Sequence, residues 1–291
     1  MRILFACLLL WLVPYLSFAQ QGNVLEKRTP KSSIMGKEVD YMLYLPPGYE
    51  ASNRSYPVVY LFHGYTDSHT GWVQFGEINR LADKAINEGT IPPMIIVMPD
   101  ADSSFYMNSF DGKVKYEDFF FKEFLPHIEK TNRIIGDKRY RGVAGLSMGG
   151  YGAMLYALKH PDKFTATAPL SAAFLDDSSM VNMPKENWNM PMGALYGTNL
   201  EGKDRLTATW YQNSIHELIR TATPEKLRSV RYWIDCGDDD FLMEGNCNVH
   251  IALSKKRVPH EFRMRDGGHT WDYWRSGIID ALAFIGKSFR Q

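Results

Sequence analysis

An α/β fold on a mostly parallel central sheet flanked by helices is the class this chain predicts, and three observations carry the prediction. Short apolar runs at residues 58–62 and 94–98 suit strands buried on both faces. Stretches with helical spacing lie between such runs, and strands that alternate with helices pair in parallel through right-handed crossovers. Finally, 291 residues with 45% hydrophobic content suffice to bury one large core.

At the N-terminus, Arg2, the apolar run 3–13 and Ser17-Phe18-Ala19 read as a signal peptide cleaved after Ala19, leaving residues 20–291 as one exported domain. The apolar run is too short to be a stable membrane anchor. Cleavage would remove Cys7, and the remaining Cys236 and Cys247 read as packed small hydrophobes or, less simply, as one disulfide.

Residues 39–45 alternate as an edge strand and end at the turn Pro46-Pro47-Gly48. Strand 58–62 runs into His63-Gly64, and a helix over 79–87 precedes strand 94–98. Residues 116–130 set Phe119, Phe120, Leu125 and Ile128 on one helical stripe, which is a packing face. Strand 140–144, helix 150–159 and strands 166–170, 230–234 and 261–265 complete the alternation. Between 170 and 230 lies an irregular insertion with Met180, Met183, Trp188, Met190, Met192, Trp210 and Tyr211. Either it overhangs the functional site and shapes an apolar pocket, or it packs onto the body.

The chemistry is concentrated where strands end. Gly145-Leu146-Ser147-Met148-Gly149 spells G-x-S-x-G between a strand and a helix. That context is what a nucleophile elbow needs: a sharp turn lifts the hydroxyl above the sheet, and the following helix N-terminus favours negative charge. Ser147 is therefore a candidate nucleophile. A serine hydroxyl is weak without a base, and the base needs an acid to orient it, in the chain order Ser, Asp or Glu, His. His269 fits as base, since it sits in the Gly-rich loop Asp266-Gly267-Gly268-His269 after a late strand. The acid falls in Asp238-Asp239-Asp240, one strand earlier, where the residue pattern leaves the register open among the three. Phe241 and Leu242 are expected to fix that loop by packing. His63-Gly64 marks the place where the backbone turns to offer one oxyanion amide, from Tyr65, the other coming from Met148; the His63 side chain is then structural.

Leu61-Phe62-His63-Gly64, Met98-Pro99-Asp100, Phe105-Tyr106, Gly145 to Ala153, Asp235-Cys236-Gly237 and Gly267-Gly268-His269-Thr270-Trp271 together resemble the esterase D and feruloyl esterase branch of the α/β-hydrolases, carbohydrate esterase family 1. They are also similar to bacterial mycolyltransferases, and the resemblance runs from about Val39 to about Phe289. It implies the α/β-hydrolase fold with an insertion over the active site, and it puts the acid three residues after Gly237, on Asp240. It also implies an ester substrate, feruloyl or acetyl groups on plant polysaccharide fitting best with export. Hydrolysis of S-formylglutathione, acyl transfer to a sugar and a non-catalytic binding role are the alternatives. Among aromatic residues near these motifs, Trp72, Tyr106, Trp188 and Trp271 are candidate substrate contacts.

Lys plus Arg and Asp plus Glu are both 33, so no net field attracts nucleic acid or an anionic membrane. No metal or cofactor is implied. The histidines and cysteines lack zinc spacing, the aspartate run lacks the alternation of a calcium loop, and the glycines at 145, 149, 150 and 152 are accounted for by the elbow.

Overall fold

The computed structural model describes residues 20–289, so the expected signal peptide, residues 1–19, lies outside the described residues. Eight strands form one sheet in the order β1-β2-β4-β3-β5-β6-β7-β8: β1 (Asn23–Arg28), β2 (Asp40–Leu45), β3 (Val58–Phe62), β4 (Ile95–Pro99), β5 (Arg141–Leu146), β6 (Ala166–Leu170), β7 (Arg231–Gly237) and β8 (His260–Arg265). β1 pairs antiparallel with β2 and β2 with β4, while every later pairing is parallel. Residues 39–45 were expected at an edge, but β2 is covered by β1. The sequence Asn-Val-Leu-Glu-Lys-Arg of β1 is half-exposed or exposed throughout, so it has no buried alternation by which it could be recognised.

Apolar runs form the central strands because both sheet faces are covered. In β3, Val58, Tyr60 and Phe62 join one core layer, and Val59 and Leu61 join the other. Ile95 and Val97 of β4 divide from Ile96 and Met98 in the same way. The second layer is closed by helices α1 (Ile78–Asn87) and α5 (Trp271–Ser288), through residues such as Ile78, Ala82, Ile278 and Leu282. The first holds α2 (Met148–Lys159) and the Phe119, Phe120, Leu125 and Ile128 stripe, all four buried as the spacing predicts. α3 (Asp177–Asn182) belongs to the insertion, and α4 (Met243–Lys255) follows β7.

β3, β5, β7 and β8 run parallel, so their C-terminal ends lie on one edge of the sheet. The loops carrying His63, Ser147, Asp240 and His269 leave from those four ends and converge there, as ligand-binding loops of parallel sheets do.

Candidate active site

Ser147 joins β5 to α2 with φ 54° and ψ −117°, a backbone conformation that a residue with a side chain adopts only under constraint. The constraint is visible. Its N–H donates to Leu170 O at 2.9 Å, and its carbonyl accepts from Tyr151 and Ala173 N–H at 3.0 Å each. Gly149 lets the helix close on β3, since a Cβ there would stand 2.5 Å from the carbonyl oxygen of Phe62. Met148 occupies the first helical position, and its amide has no partner among the described residues, as expected of a helix N-terminus.

The loop after β3 lies over this turn. A Cβ on Gly64 would fall 2.7 Å from Leu146 Cδ1 and 3.5 Å from Ser147 Cβ, so a side chain there would have to displace Leu146. The next amide, of Tyr65, also lacks a hydrogen-bond partner among the described residues. Beneath it, buried His63 accepts the Ala101 N–H on Nε2 at 2.9 Å. That bond requires a lone pair on Nε2, so the proton sits on Nδ1, which donates to Gly64 O at 2.8 Å. Burial holds the His63 pKa below its ordinary value, against the opposing pull of Gly64 O, Asp100 and Asp67. Asp100 meets His69 Nδ1 at 3.1 Å; burial would raise its pKa, but the bonds from His69 and the Asp102 amide hold it down to about 2.

His269 leaves β8 through Gly267, whose φ of 133° suits glycine, and its Nδ1 donates to Asp240 Oδ2 at 2.9 Å. The other Asp240 oxygen accepts the Leu242 N–H at 2.9 Å, and the carboxylate is fully buried. Burial pushes its pKa up, and the His269 bond and the Leu242 amide more than offset that, leaving it below the usual carboxylate value. Asp238 and Asp239 are exposed: Asp238 accepts the Gly267 N–H at 3.1 Å, and the Asp239 side chain meets no donor among the described residues. Of the three registers left open by the sequence, the geometry brings Asp240 to His269.

Ser147 and His269 line one hollow of about 360 Å³ together with Tyr65, Phe75, Trp271 and Trp274. Among the described residues no hydrogen bond closes between the Ser147 hydroxyl and the imidazole, although both line the same hollow. Trp271 is the one candidate substrate contact of four that lines the hollow. Trp72 is fully buried, donates its indole N–H to Phe62 O at 2.9 Å, and supports Trp271 edge-on from below. Tyr106 is fully buried, stacked on Phe62, with its hydroxyl donating to His63 O. Trp188 is fully buried, bonded to Gly197 O and covered by Arg205. All three are packing residues, because each ring is enclosed and its polar atom is satisfied internally. Phe75 and Trp274 were missed, the first lying exposed in a loop with no motif beside it. Phe241 does not pack its loop: it is 77% exposed, with its ring centroid 4.7 Å from that of His269.

The insertion mostly packs. Met180, Trp188, Met192 and Trp210 are buried in the core, and the Ser147 hollow has no lining residue from it. Its first helix instead borders a second hollow, which Phe241 also lines. Cys236 and Cys247 are free thiols, the first buried. Asp238, Asp239 and Asp266 bring carboxylate oxygens within 4.8 Å of one another, all exposed to solvent as in an ordinary acidic turn.

Residues 32–285 match the family model described as "Putative esterase". An esterase of Mycobacterium tuberculosis is 31% identical over 283 residues, covering 89% of this chain and 60% of that protein, so the chain spans about three fifths of that relative's length. An acetyl esterase of Caldicellulosiruptor saccharolyticus is 24% identical over 238 residues, covering 82% of this chain and 86% of that one. Among solved structures, a ferulic acid esterase superposes with a TM-score of 0.81 at 34% identity, over 92% of this chain and 99% of that one. Its sheet, its strand-end loops and this match over most of its length place the chain in the esterase family.

Proposed function

We propose that the chain is a serine carboxylic ester hydrolase acting through Ser147, His269 and Asp240. The observation that carries this reading is convergence on one residue: Ser147 is held in a strained turn, beside an imidazole already oriented by a buried carboxylate and two amides with nothing to bind. Ser147 Oγ attacks the ester carbonyl while His269 Nε2 takes its proton, and the Tyr65 and Met148 amides receive the developing oxyanion. The imidazolium, stabilised by Asp240, then protonates the departing alcohol as the carbon–oxygen bond breaks. Water, activated by the same base, releases the acyl group.

The aromatic walls of the hollow, Tyr65, Phe75, Trp271 and Trp274, suit a flat aromatic acyl group, and a short acetyl group also fits. Among the described residues neither this hollow nor the one bordered by Phe241 is lined by Lys or Arg, so no cationic side chain of that kind complements the carboxylates of S-formylglutathione. Acylated polysaccharide is accordingly the proposed substrate class. Hydrolysis of p-nitrophenyl acetate, followed by comparison of methyl ferulate with acetylated xylan, tests the reading; wild-type protein inert towards every ester would overturn it.

Export is part of the same proposal, since such polymers lie outside the cell and residues 1–19 have the pattern of a cleaved leader. Mass spectrometry of protein from the envelope or medium should give a chain starting at Gln20. An intact N-terminus there would refute cleavage.

A further inference from the structure

We infer that the hollow between α3 and α4, bordered by Phe241, is the subsite for the alcohol half of the substrate and that it takes a sugar ring. The inference rests on the hydrolytic reading above and adds to it a place and a chemistry for the leaving group. In ester cleavage the departing oxygen must lie where His269 can protonate it, so the alcohol leaves on the imidazole's side of the carbonyl. On that side stands Phe241, with its ring centroid 4.7 Å from the imidazole and 77% of its surface open to solvent. An exposed aromatic ring beside the reacting imidazole is placed to stack on the apolar face of a pyranose leaving group.

The hollow that Phe241 borders, of about 270 Å³, has a different character from that at Ser147. Whereas the Ser147 hollow is aromatic, this one is walled by Asp176, Asn182, Glu244 and Asn248. Asp176 is committed to capping α3, its Oδ1 accepting the Ser179 N–H at 2.8 Å, and the Asn182 amide donates to Ser178 O. Glu244 and Asn248 have no partner among the described residues and are spaced i, i+4, so they share one face of α4. A carboxylate that only accepts, next to an amide that both donates and accepts, matches the mixed donor and acceptor pattern of neighbouring hydroxyls. Gly245 lets α4 approach the floor, where a Cβ would stand 2.3 Å from Phe174 O. An aromatic platform with paired polar groups beside it is built for a polyhydroxylated ring, and the absence of lining Lys or Arg disfavours an anionic one.

The test holds the acyl group fixed and changes the alcohol. Wild type, Phe241→Ala and the Glu244→Gln/Asn248→Ala double variant are assayed on monoacetylated xylotriose and on ethyl acetate. Phe241 and Glu244 are exposed and Asn248 is half-buried, so thermal unfolding of each variant is measured alongside to check that the fold is kept. The expected result is a fall of about tenfold or more in the ratio of kcat/KM for the sugar ester to that for the ethyl ester, carried mainly by KM. An unchanged ratio, or an equal loss on both esters, overturns the subsite while leaving the hydrolase intact. Binding of xylotriose itself, followed by tryptophan fluorescence, separates the two readings. Binding that the double variant abolishes in a protein with no esterase activity supports the subsite and sinks the hydrolase, whereas active enzyme with no such binding and no ratio change does the reverse.

Discussion

His269 donates to Asp240 at 2.9 Å, and of three consecutive aspartates Asp240 alone turns its carboxylate inward to meet it. Asp238 faces the Gly267 amide and Asp239 faces solvent. The Asp240→Asn variant keeps the shape but favours the wrong imidazole tautomer and withdraws the charge that stabilises the imidazolium, so kcat on p-nitrophenyl acetate should fall by about 10² to 10⁴. Asp238→Asn and Asp239→Asn should each cost less than about tenfold. Near-normal turnover by Asp240→Asn would remove it from the mechanism.

The strain at Ser147 gives a prediction in which activity and stability move oppositely. At φ 54° and ψ −117° a side chain is disfavoured, at a cost of about 1–3 kcal/mol. Ser147→Ala retains the Cβ, so kcat should fall by roughly 10³ or more with Tm nearly unchanged. Ser147→Gly should be equally inactive yet more stable, by about 1 kcal/mol once the greater freedom of its unfolded chain is counted. A glycine variant less stable than the alanine variant would show that the turn is not strained.

The strand-end loops were legible in the sequence because their signals are local: a serine between glycines, a histidine after two glycines, an aspartate run after an apolar strand. Each places one residue relative to its own strand, and the parallel sheet then gathers the ends. What was not legible depends on the direction of a side chain relative to distant elements. Trp72 and Trp271 are both aromatic neighbours of motifs, yet one is fully buried and the other lines the hollow, and only the packing of α5 against the sheet and α1 decides which. Phe241 was read as packing for the same reason, since exposure is a property of what fails to cover a residue. The register of Asp240 came from resemblance and not from the residues, because three adjacent carboxylates are chemically equivalent until the loop is folded.

Those two tryptophans can be told apart by measurement. Trp72→Ala removes a fully enclosed indole and orphans nothing but the Phe62 carbonyl, so it should destabilise by about 3–5 kcal/mol. Trp188→Ala should behave alike. Trp271→Ala, at the half-buried wall of the hollow, should cost much less in unfolding by urea while raising KM for aromatic esters severalfold. If Trp271→Ala proved the least stable of the three with an unchanged KM, its assignment to the wall would be wrong.

Acid pH acts on the loop after β3 through His63. Its Nε2 must stay unprotonated to accept the Ala101 N–H, and burial keeps its folded pKa below the ordinary 6.5. As pH falls below about 6.5 the unfolded chain takes up a proton that the folded one refuses, so this group removes stability progressively down to its folded pKa. His69 acts with the opposite sign: its bonds to Asp100 and Glu26 raise its pKa, so its contribution is complete below the unfolded value and fades as pH rises through the folded one. The two are separated by substitution. His63→Gln offers a neutral acceptor to Ala101 and does not titrate, so Tm should fall less between pH 6.5 and 5 than in wild type. His63→Leu leaves the Ala101 N–H orphaned, costing about 1–3 kcal/mol, and releases the Gly64 carbonyl that sets the direction of the Tyr65 amide. Its kcat should then fall by roughly 10² with KM little changed, the mark of an interaction made in the transition state. An identical acid slope in wild type and His63→Gln would show that His63 does not titrate against folding, and a kcat of His63→Leu close to wild type would show that the loop holds its amide in place without it.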